Sequence, residues 1–322
     1  MATGYELGLA AWCVAAGALF LVAPRPPEPP WTTPEDEAIF QRTVDQTVEK
    51  TRRWQDERGD WTIPWDEADG HMAILIDDVG RELHLLGQLQ ALRFQLSFSV
   101  LPGAVYAPGA QLRLRADRRR HRDVLLHLPC EPLDETKMLA GSDAEESFLR
   151  VGDPPDKLRG ALEAALLRVP GAVGVNNHMG SRLTADRAAM DALMPVLRER
   201  GLFFVDSWTT PDSQGQAAAD AAGVVTLGRD IFLDHDPDPA AILAQLAEAA
   251  RRARDRPVLV LAHPSQAVVE VLKEGLPRLH DEGIGVYPVR EILARAPRAG
   301  GVNENGLVSP PLGAAKTDIS AQ

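Results

Sequence analysis

Short apolar runs alternate with stretches of helical spacing between residues 71 and 296. The runs are unbroken, as expected for strands that are covered on both faces of a parallel sheet. The predicted strands are MAILID (72–77), QLSFSVLP (95–102), DVLLHLP (123–129), GAVGVNN (171–177), LFFVDS (202–207), VVTLG (224–228), PVLVLAHP (257–264) and GVYPV (285–289). The predicted helices are 81–93, 156–168, 185–200, 212–222, 238–254 and 266–282. About eight strand–helix units predict an α/β fold with a closed or nearly closed (β/α) barrel, and an open doubly wound sheet is the alternative.

The N-terminal run LGLAAWCVAAGALFLVA (7–23) carries no charge. Its length lies at the lower end of the ~17–25 residues that cross a bilayer. A secretory signal would begin with a basic residue and end at a small-residue cleavage site, whereas this run follows Glu6 and ends in Ala23-Pro24. We therefore expect an anchor in an inner membrane, with the rest of the chain facing the periplasm. A cleaved signal that releases the protein into the periplasm is the alternative.

The regions that flank the alternating pattern differ from it in composition. A proline-rich run predicts a stiff spacer after the membrane segment, and residues 35–58 have the helical spacing of a stalk. Residues 297–322 have little apolar content and are predicted to form a mobile tail. The predicted division is 1–24 membrane anchor or signal segment, 25–69 linker and stalk helix, 70–296 barrel domain and 297–322 tail.

Composition and charge narrow the class of protein. The chain has 322 residues, of which 45% are hydrophobic and 25% charged, as in ordinary globular proteins. Its net charge of −12 argues against nucleic acid as a partner, because phosphate contacts need a basic surface. The basic run at 113–122 is interpreted as a solvated helix face followed by a turn, with contact to an anionic lipid or polymer as the alternative. Two cysteines cannot form a disulfide framework.

Polar side chains follow five of the predicted strands, where parallel α/β folds gather their functional groups. Each alone has an ordinary explanation, such as a helix cap or a satisfied core group. Together they would fill one concave site with carboxylates and imidazoles, which is unfavourable unless a cation or a reaction uses them. These residues are Asp77, Asp78, His127, Cys130, Glu131, Asn176, Asn177, His178, Asp206, Ser207 and His263.

The mixture of carboxylate and imidazole suits a divalent ion such as Zn²⁺ with an open coordination position. A remaining carboxylate and a remaining histidine suit a general base and a general acid. This set of groups predicts metal-assisted hydrolysis. The other five histidines are interpreted as loop or helix residues. In RDIFLDHD (229–236), a plain turn is favoured over a place for Asp230 or Asp234 near the site.

Six stretches of this chain resemble the divergent polysaccharide deacetylase family. They are ILIDDVG (74–80), VLLHLPCEP (124–132), VPGAVGVNNHMGSRLT (169–184), FFVDSWT (203–209), RDIFLD (229–234) and LAHP (261–264). The resemblance covers roughly residues 70–295 in order and without large gaps. It implies a distorted (β/α) barrel with a metal ion at its mouth and a polysaccharide or other glycan as substrate.

The resemblance also implies roles for individual residues. In the Asp-Asp pair of the first strand, Asp77 takes the place of the base and Asp78 that of a metal ligand. The Leu-x-His of a late strand makes His263 the acid that protonates the leaving amine.

The middle motifs depart from the wider deacetylase pattern. A second histidine is expected four residues after His127, where this chain has Glu131, and the usual Arg-x-Pro-Tyr is replaced by residues 176–181. We expect His178 to supply the missing third ligand beside Asp78 and His127, with Glu131 or Cys130 as alternatives. The residues expected to bind substrate or support the site are Glu131, Asn176, Asn177 and Asp206.

Three functions fit these features. The first is a metal-dependent hydrolase that removes acyl groups from an N-acetylated envelope polysaccharide, held beside the cell wall by its membrane segment. The second is a catalytically inactive glycan-binding or scaffolding protein of the envelope, which the altered middle motifs would permit. The third is a metallohydrolase for another bond, such as an ester. A pure binding protein has no need of Asp77 and His263 beside a metal ion, and this pair favours the first function.

Overall fold

The computed structural model describes residues 60–117, 122–140 and 147–295, together with residues 38 and 42. The predicted membrane segment at 7–23, the proline-rich spacer and the tail at 297–322 lie outside the described residues, as does nearly all of the predicted stalk. Within the three described ranges, no helix has the length and hydrophobicity needed to cross a membrane.

Nine parallel strands form one sheet in the described part of the chain. They are β1 Gly70–Val79, β2 Ser97–Val100, β3 Val124–Cys130, β4 Gly174–Met179, β5 Phe203–Asp206, β6 Thr226–Gly228, β7 Ile231–Phe232, β8 Val258–Ala262 and β9 Ile284–Val286. Their order is β6-β5-β4-β3-β2-β1-β8-β7, and β9 pairs with the start of β1. The path begins and ends with β6 and β7, which follow each other in the chain but are not paired with each other. This incompletely closed, distorted (β/α) barrel confirms the predicted fold class.

Helices connect most of the strands and cover the outside of the sheet. They are α1 His84–Ala91, α2 Ala107–Ala116, α3 Thr136–Ala140, α4 Pro155–Arg168, α5 Arg187–Glu199, α6 Gly215–Ala222, α7 Pro239–Ala253, α8 Gln266–Asp281 and α9 Val289–Arg295. Asp186, Asp238 and Ser265 cap the starts of α5, α7 and α8 by accepting hydrogen bonds from backbone N–H groups of the first turn. The six predicted helices are present within a few residues of their expected bounds, and helices α2, α3 and α9 and strand β7 are additional.

The two faces of the sheet carry separate apolar clusters. The larger cluster lies between the strands and the helices, and the smaller one fills the barrel interior, with α9 at one end. Leu75, Leu125 and Leu261 belong to the inner cluster. Since side chains alternate along a strand, the inner position that follows each leucine is two residues later. The interior therefore becomes polar toward the carboxyl ends of the strands, where Asp77, His127 and His263 occupy those positions.

Residues 60–69 pack on the barrel, although the sequence pattern places them in the linker. Trp61 packs against the outer cluster and Trp65 against the inner one. The Tyr287 hydroxyl donates a hydrogen bond to the carbonyl of Ile63 at 2.9 Å. The described residues that precede β1 thus contact the same apolar clusters as the strands. His71, which was expected in a loop or helix, lies in β1.

Candidate active site

Three predicted metal ligands, Asp78, His127 and His178, meet at the mouth of the barrel. Asp78 Oδ1 lies 3.2 Å from His127 Nε2 and 2.9 Å from His178 Nδ1, and the two ring nitrogens are 3.2 Å apart. Tetrahedral zinc with bonds of ~2.0–2.1 Å would separate its ligand atoms by about 3.3 Å, close to these distances. Asp78 Oδ1 is buried without a hydrogen-bond partner among the described residues. The donor set and this unsatisfied oxygen fit a divalent ion such as Zn²⁺.

The protonation states of two of these residues also suit ligation. Although burial opposes ionisation, the close approach of the two histidines holds the pKa of Asp78 well below its usual range. Burial lowers the pKa of His178 and favours its neutral ring. A carboxylate and a neutral imidazole are the forms in which these groups bind metal.

The backbone at Asp78 explains how two consecutive residues reach one site. In a regular strand, neighbouring side chains point to opposite faces of the sheet. Here Asp78 has a φ of 52°, and the pairing of β1 with β2 shifts register between Ile76 and Val79. Such a bulge re-aims a side chain. As a result, Asp77 and Asp78 both approach His127, with Asp77 Oδ1 3.9 Å from its Nδ1.

Hydrogen bonds behind the cluster orient its ligands. His127 Nδ1 lies 3.0 Å from Asn176 Oδ1, an acceptor that favours a proton on Nδ1 and leaves Nε2 as the nitrogen that can bind a metal ion. On the other side, Asp78 Oδ2 faces Arg81 Nε at 3.5 Å. Asp78 therefore directs one carboxylate oxygen toward the two histidines and the other toward the guanidinium group of Arg81.

Asp77 is buried beside the three ligands but is not one of them. Its Oδ1 accepts a hydrogen bond from Asn176 Nδ2 at 2.9 Å. Burial raises the pKa of Asp77, against the opposing effects of His127 and His263. A carboxyl group with a raised pKa next to a metal site is suited to accept a proton, as the resemblance implied.

His263 lies at the carboxyl end of β8 with its side chain 37% exposed. Asp234 Oδ2 accepts the His263 backbone N–H at 3.0 Å and lies 3.4 Å from its ring Nδ1. Burial would lower the pKa of His263, but Asp234 and the charges of Asp78 and Asp77 raise it to about 9. The raised pKa favours the protonated ring of His263, which is the form that can donate a proton.

The interpretation of Asp234 as a plain turn residue was wrong, because its carboxylate positions His263. Asp234 follows the apolar run IFL (231–233), as the other site residues follow their strands. This signal was present in the sequence, but β7 contains only two residues and is too short to be recognised from its pattern. Asp230, by contrast, binds Arg256 and the backbone of β8.

The alternative ligands lie away from the metal cluster. Glu131 Oε2 accepts the Val151 N–H at 2.7 Å, and its backbone carbonyl accepts from Arg182 and Leu183. Cys130 is buried against Gly180. Neither residue belongs to the group of potential ligands that the described residues form. Glu131 therefore supports the loops that surround the site.

Asn177 and Asp206 also hold loops rather than contact the cluster. Asn177 Nδ2 donates to the Met179 carbonyl at 2.7 Å, and its Oδ1 accepts the Ser207 N–H at 2.9 Å. Asp206 accepts the Trp208 N–H at 2.8 Å and the Ser213 hydroxyl at 2.6 Å. These hydrogen bonds connect the ends of β4 and β5 to each other and to the loop that follows β5.

Three non-glycine residues at the mouth have left-handed backbone conformations. Asp78, Met179 and Trp208 have φ values of 52°, 54° and 48°, and they lie at or just after the ends of β1, β4 and β5. The Arg229 side chain donates to the carbonyls of Ser207 and Trp208 and fixes the third of these turns. Such conformations are unfavourable for most residues and concentrate at functional sites.

The protein is a parallel (β/α) barrel, and its cluster of ionisable groups lies at the carboxyl-terminal face of the strands. Enzymes with this type of barrel have their active sites at that face. The model of the divergent polysaccharide deacetylase family matches residues 74–293. The chain belongs to this family, which confirms the resemblance seen in its motifs.

Two curated relatives and one crystal structure illustrate the similarity. The uncharacterized protein YibQ of Escherichia coli K12 is 34% identical over 206 residues, which cover 64% of this chain and 62% of that protein. An uncharacterized protein of Haemophilus influenzae is 33% identical over 216 residues, 67% of this chain and 74% of that protein. The crystal structure of the uncharacterized protein ATU2773 from Agrobacterium tumefaciens C58 has a TM-score of 0.64 at 22% identity, covers 72% of this chain and 93% of its own, and shares the fold.

Proposed function

We propose that the protein is a metal-dependent hydrolase that removes acyl groups from an N-acetylated envelope polysaccharide. Three potential metal-ligand atoms lie within 4.8 Å of one another. The observation that carries the proposal is that Asp77 lies 3.9 Å from the ligand His127, and that His263 is close enough to Asp77 and Asp78 for their charges to raise its pKa. Asp77 is not a ligand and has a raised pKa, whereas His263 is paired with Asp234. A base and an acid next to a metal site are the groups that amide hydrolysis requires.

The reaction follows from what each side chain can do. A divalent ion at this site would polarise the acyl oxygen and make water a better nucleophile. Asp77 accepts the proton of the attacking water, whose oxygen forms a bond to the acyl carbon. His263 donates its proton to the leaving nitrogen as the carbon–nitrogen bond breaks. Asp78, His127 and His178 would hold the ion, and the products are acetate and a free amine.

The substrate class and the location are the finer parts of the proposal. Membership of the polysaccharide deacetylase family supports a glycan substrate. The uncharged run at 7–23 supports anchoring in an inner membrane with the barrel in the periplasm. An enzyme held there would act on envelope glycans that carry N-acetyl groups.

Acetate release from a panel of glycans tests the function. The purified full-length chain, loaded with zinc, is incubated with N-acetylated glycans and with O-acetylated ones as a comparison. We expect acetate from at least one N-acetylated glycan and about 10²–10⁴-fold less from Asp77→Asn, because the base contributes on that scale. Glycan binding without release of acetate would instead support the inactive binding protein, and release from O-acetylated substrates alone would support an esterase.

A further inference from the structure

The side chain of Asn176 lies beneath the metal cluster, fully buried among five neighbouring strands. All four of its hydrogen-bonding positions are used. Its Oδ1 accepts from the Ser99 hydroxyl and from His127 Nδ1, the latter at 3.0 Å. Its Nδ2 donates to Asp77 Oδ1 at 2.9 Å and to Ser207 Oγ at 3.2 Å. One amide therefore joins a predicted metal ligand to the predicted base.

The neighbours determine which end of the amide is oxygen and which is nitrogen. An ionised Asp77 carboxylate only accepts hydrogen bonds, so the group that faces it must be the NH₂. The opposite side faces the Nδ1–H of His127, which needs an acceptor. An aspartate would offer acceptors on both sides, and a leucine of similar size would offer none.

We propose that Asn176 is a positioning residue that ties the His127 ring and the Asp77 carboxylate into one rigid unit, each held by a different atom of the same amide. The Asp77 half of this inference rests on the proposed hydrolase function. The His127 half rests only on the metal site and can be measured without any substrate.

The amide oxygen of Asn176 determines which nitrogen of the His127 ring carries the proton. As long as Oδ1 accepts the Nδ1–H, Nε2 is left with its lone pair facing Asp78 Oδ1 and His178 Nδ1. Hydrogen-bond partners behind a ligating histidine fix its tautomer and ring orientation, and their loss commonly lowers metal affinity about 10–100-fold. Removing the acceptor at Asn176 should therefore weaken metal binding on that scale.

The amide nitrogen of Asn176 fixes the orientation of the Asp77 carboxylate. The bond to Oδ1 fixes one carboxylate oxygen against the floor of the site. The other oxygen, Oδ2, is then left to meet the proton of the attacking water. A carboxylate at position 176 would remove this donor and place a like charge against Asp77, while its oxygens could still accept from His127 Nδ1.

Three variants of the full-length chain separate the two halves. Asn176→Asp keeps the acceptor and removes the donor, and Asn176→Leu removes both. Thr184→Val is the control, because it removes a buried hydroxyl that donates to the Gly180 carbonyl and touches neither His127 nor Asp77. Asn176→Ala replaces the leucine variant if that protein does not fold, as judged by its thermal unfolding.

Zinc affinity and proton exchange test the half that concerns His127. Competition with a chelator should show zinc binding weakened about 10–100-fold in Asn176→Leu. It should remain close to wild type in Asn176→Asp and in Thr184→Val. In NMR spectra of the zinc-loaded protein, the His127 Nδ1–H, assigned by its loss in His127→Gln, should exchange slowly in wild type and Asn176→Asp but rapidly in Asn176→Leu. Wild-type zinc affinity in Asn176→Leu, or equal weakening in both Asn176 variants, overturns this half.

Acetate release and the Asn176 amide signals test the half that concerns Asp77. Asn176→Asp should release acetate about 10–100-fold more slowly with zinc still bound, and undiminished release overturns this half. The side-chain amide protons of Asn176 should shift in Asp77→Ala, and unchanged signals contradict the contact whatever the enzyme's activity. If zinc affinities and NMR signals behave as expected but the wild type releases no acetate, the proposed hydrolase function fails while Asn176 remains the link between the two side chains.

Discussion

Asp234 contacts His263 at two points. Its Oδ2 accepts a hydrogen bond from the His263 backbone N–H at 3.0 Å and lies 3.4 Å from the ring Nδ1. The backbone contact fixes the position of the residue, and the contact with the ring favours its protonated form. Together with the charges of Asp78 and Asp77, this pairing raises the pKa of His263 to about 9. The candidate acid thus depends on an aspartate that comes from a different loop.

The pairing predicts how hydrolysis responds to pH. Because His263 must be protonated to act as an acid, kcat/KM should fall as pH rises through the pKa of His263, which Asp234 holds above its ordinary value. Asp234→Asn removes one cause of the raised pKa, so the basic limb of the profile should move to lower pH, toward the ordinary histidine value of ~6.5. Asp236→Asn, which removes an exposed nearby charge, is the control. An unchanged basic limb in Asp234→Asn would show that the acid is another group.

Removal of individual ligands should strip the metal. His127→Ala and His178→Ala each leave two protein ligands, so we expect both variants to purify with much less than the metal content of the wild type. Glu131→Gln and Cys130→Ala should keep their metal, since neither residue belongs to the cluster. Elemental analysis of the purified proteins decides. Full metal content in both histidine variants would show that the ligands have been misassigned.

The proposed base and acid can be separated from metal binding. Asp77→Asn and His263→Ala should each slow acetate release by about 10²–10⁴-fold, the usual contribution of a general acid or base. Metal content should stay near normal in both, because neither side chain is among the three ligands. Steady-state kinetics with parallel metal analysis provides the measurement. Hydrolysis that survives both substitutions undiminished would mean that other residues move the protons.

Gly180 should be intolerant of any side chain. Its φ is +90°, and a Cβ there would lie 2.8 Å from the Cβ of Cys130. Gly152 has a φ of +86° with no atom within 4 Å of its Cβ position among the described residues, so it isolates backbone strain. Strain alone should lower the free energy of unfolding of Gly152→Ala by about 1–3 kcal/mol. Overpacking should cost Gly180→Ala about 1–3 kcal/mol more. Denaturant unfolding measures the free energy of unfolding of both variants. Equal decreases in Gly152→Ala and Gly180→Ala would argue against the contact with Cys130.

The fate of residues 7–23 tests the proposed location. We expect this run to stay attached and to hold the protein in the membrane fraction, because the run lacks a basic start and a good cleavage junction. Intact-mass analysis of the protein extracted from membranes gives the answer directly. A mature chain that begins near Pro24 would identify the run as a cleaved signal and the protein as free in the periplasm.

Much of the site could be predicted from the sequence because it depends on strand periodicity. Asp77, His127 and His263 each lie two positions after an inner leucine, near the end of β1, at the middle of β3 and just after β8. Alternation of side chains then places them on the same inner face, and a barrel brings the strand ends together. The position of His178 at the end of β4 follows from the same argument.

Other features depend on contacts that leave no local pattern. A regular strand would turn Asp78 away from Asp77, and only the left-handed backbone at Asp78 brings both to one site. The contact of Asp234 with His263 requires β7, which is too short to be recognised by periodicity. The packing of residues 60–69 joins Ile63 to Tyr287, far apart in the chain. Such pairings are decided by tertiary structure.

The three residues with left-handed backbone conformations at the mouth affect how the protein binds its ligands. In a loose loop, Asp78, Met179 and Trp208 would relax, because each such conformation costs about 1–3 kcal/mol. Here the Met179 carbonyl is tied to Asn177 Nδ2, and the Trp208 carbonyl to Arg229. Hydrogen bonds between protein groups thus hold these turns at the mouth in place. Binding then needs little reorganisation, and less affinity is lost to the ordering of loops.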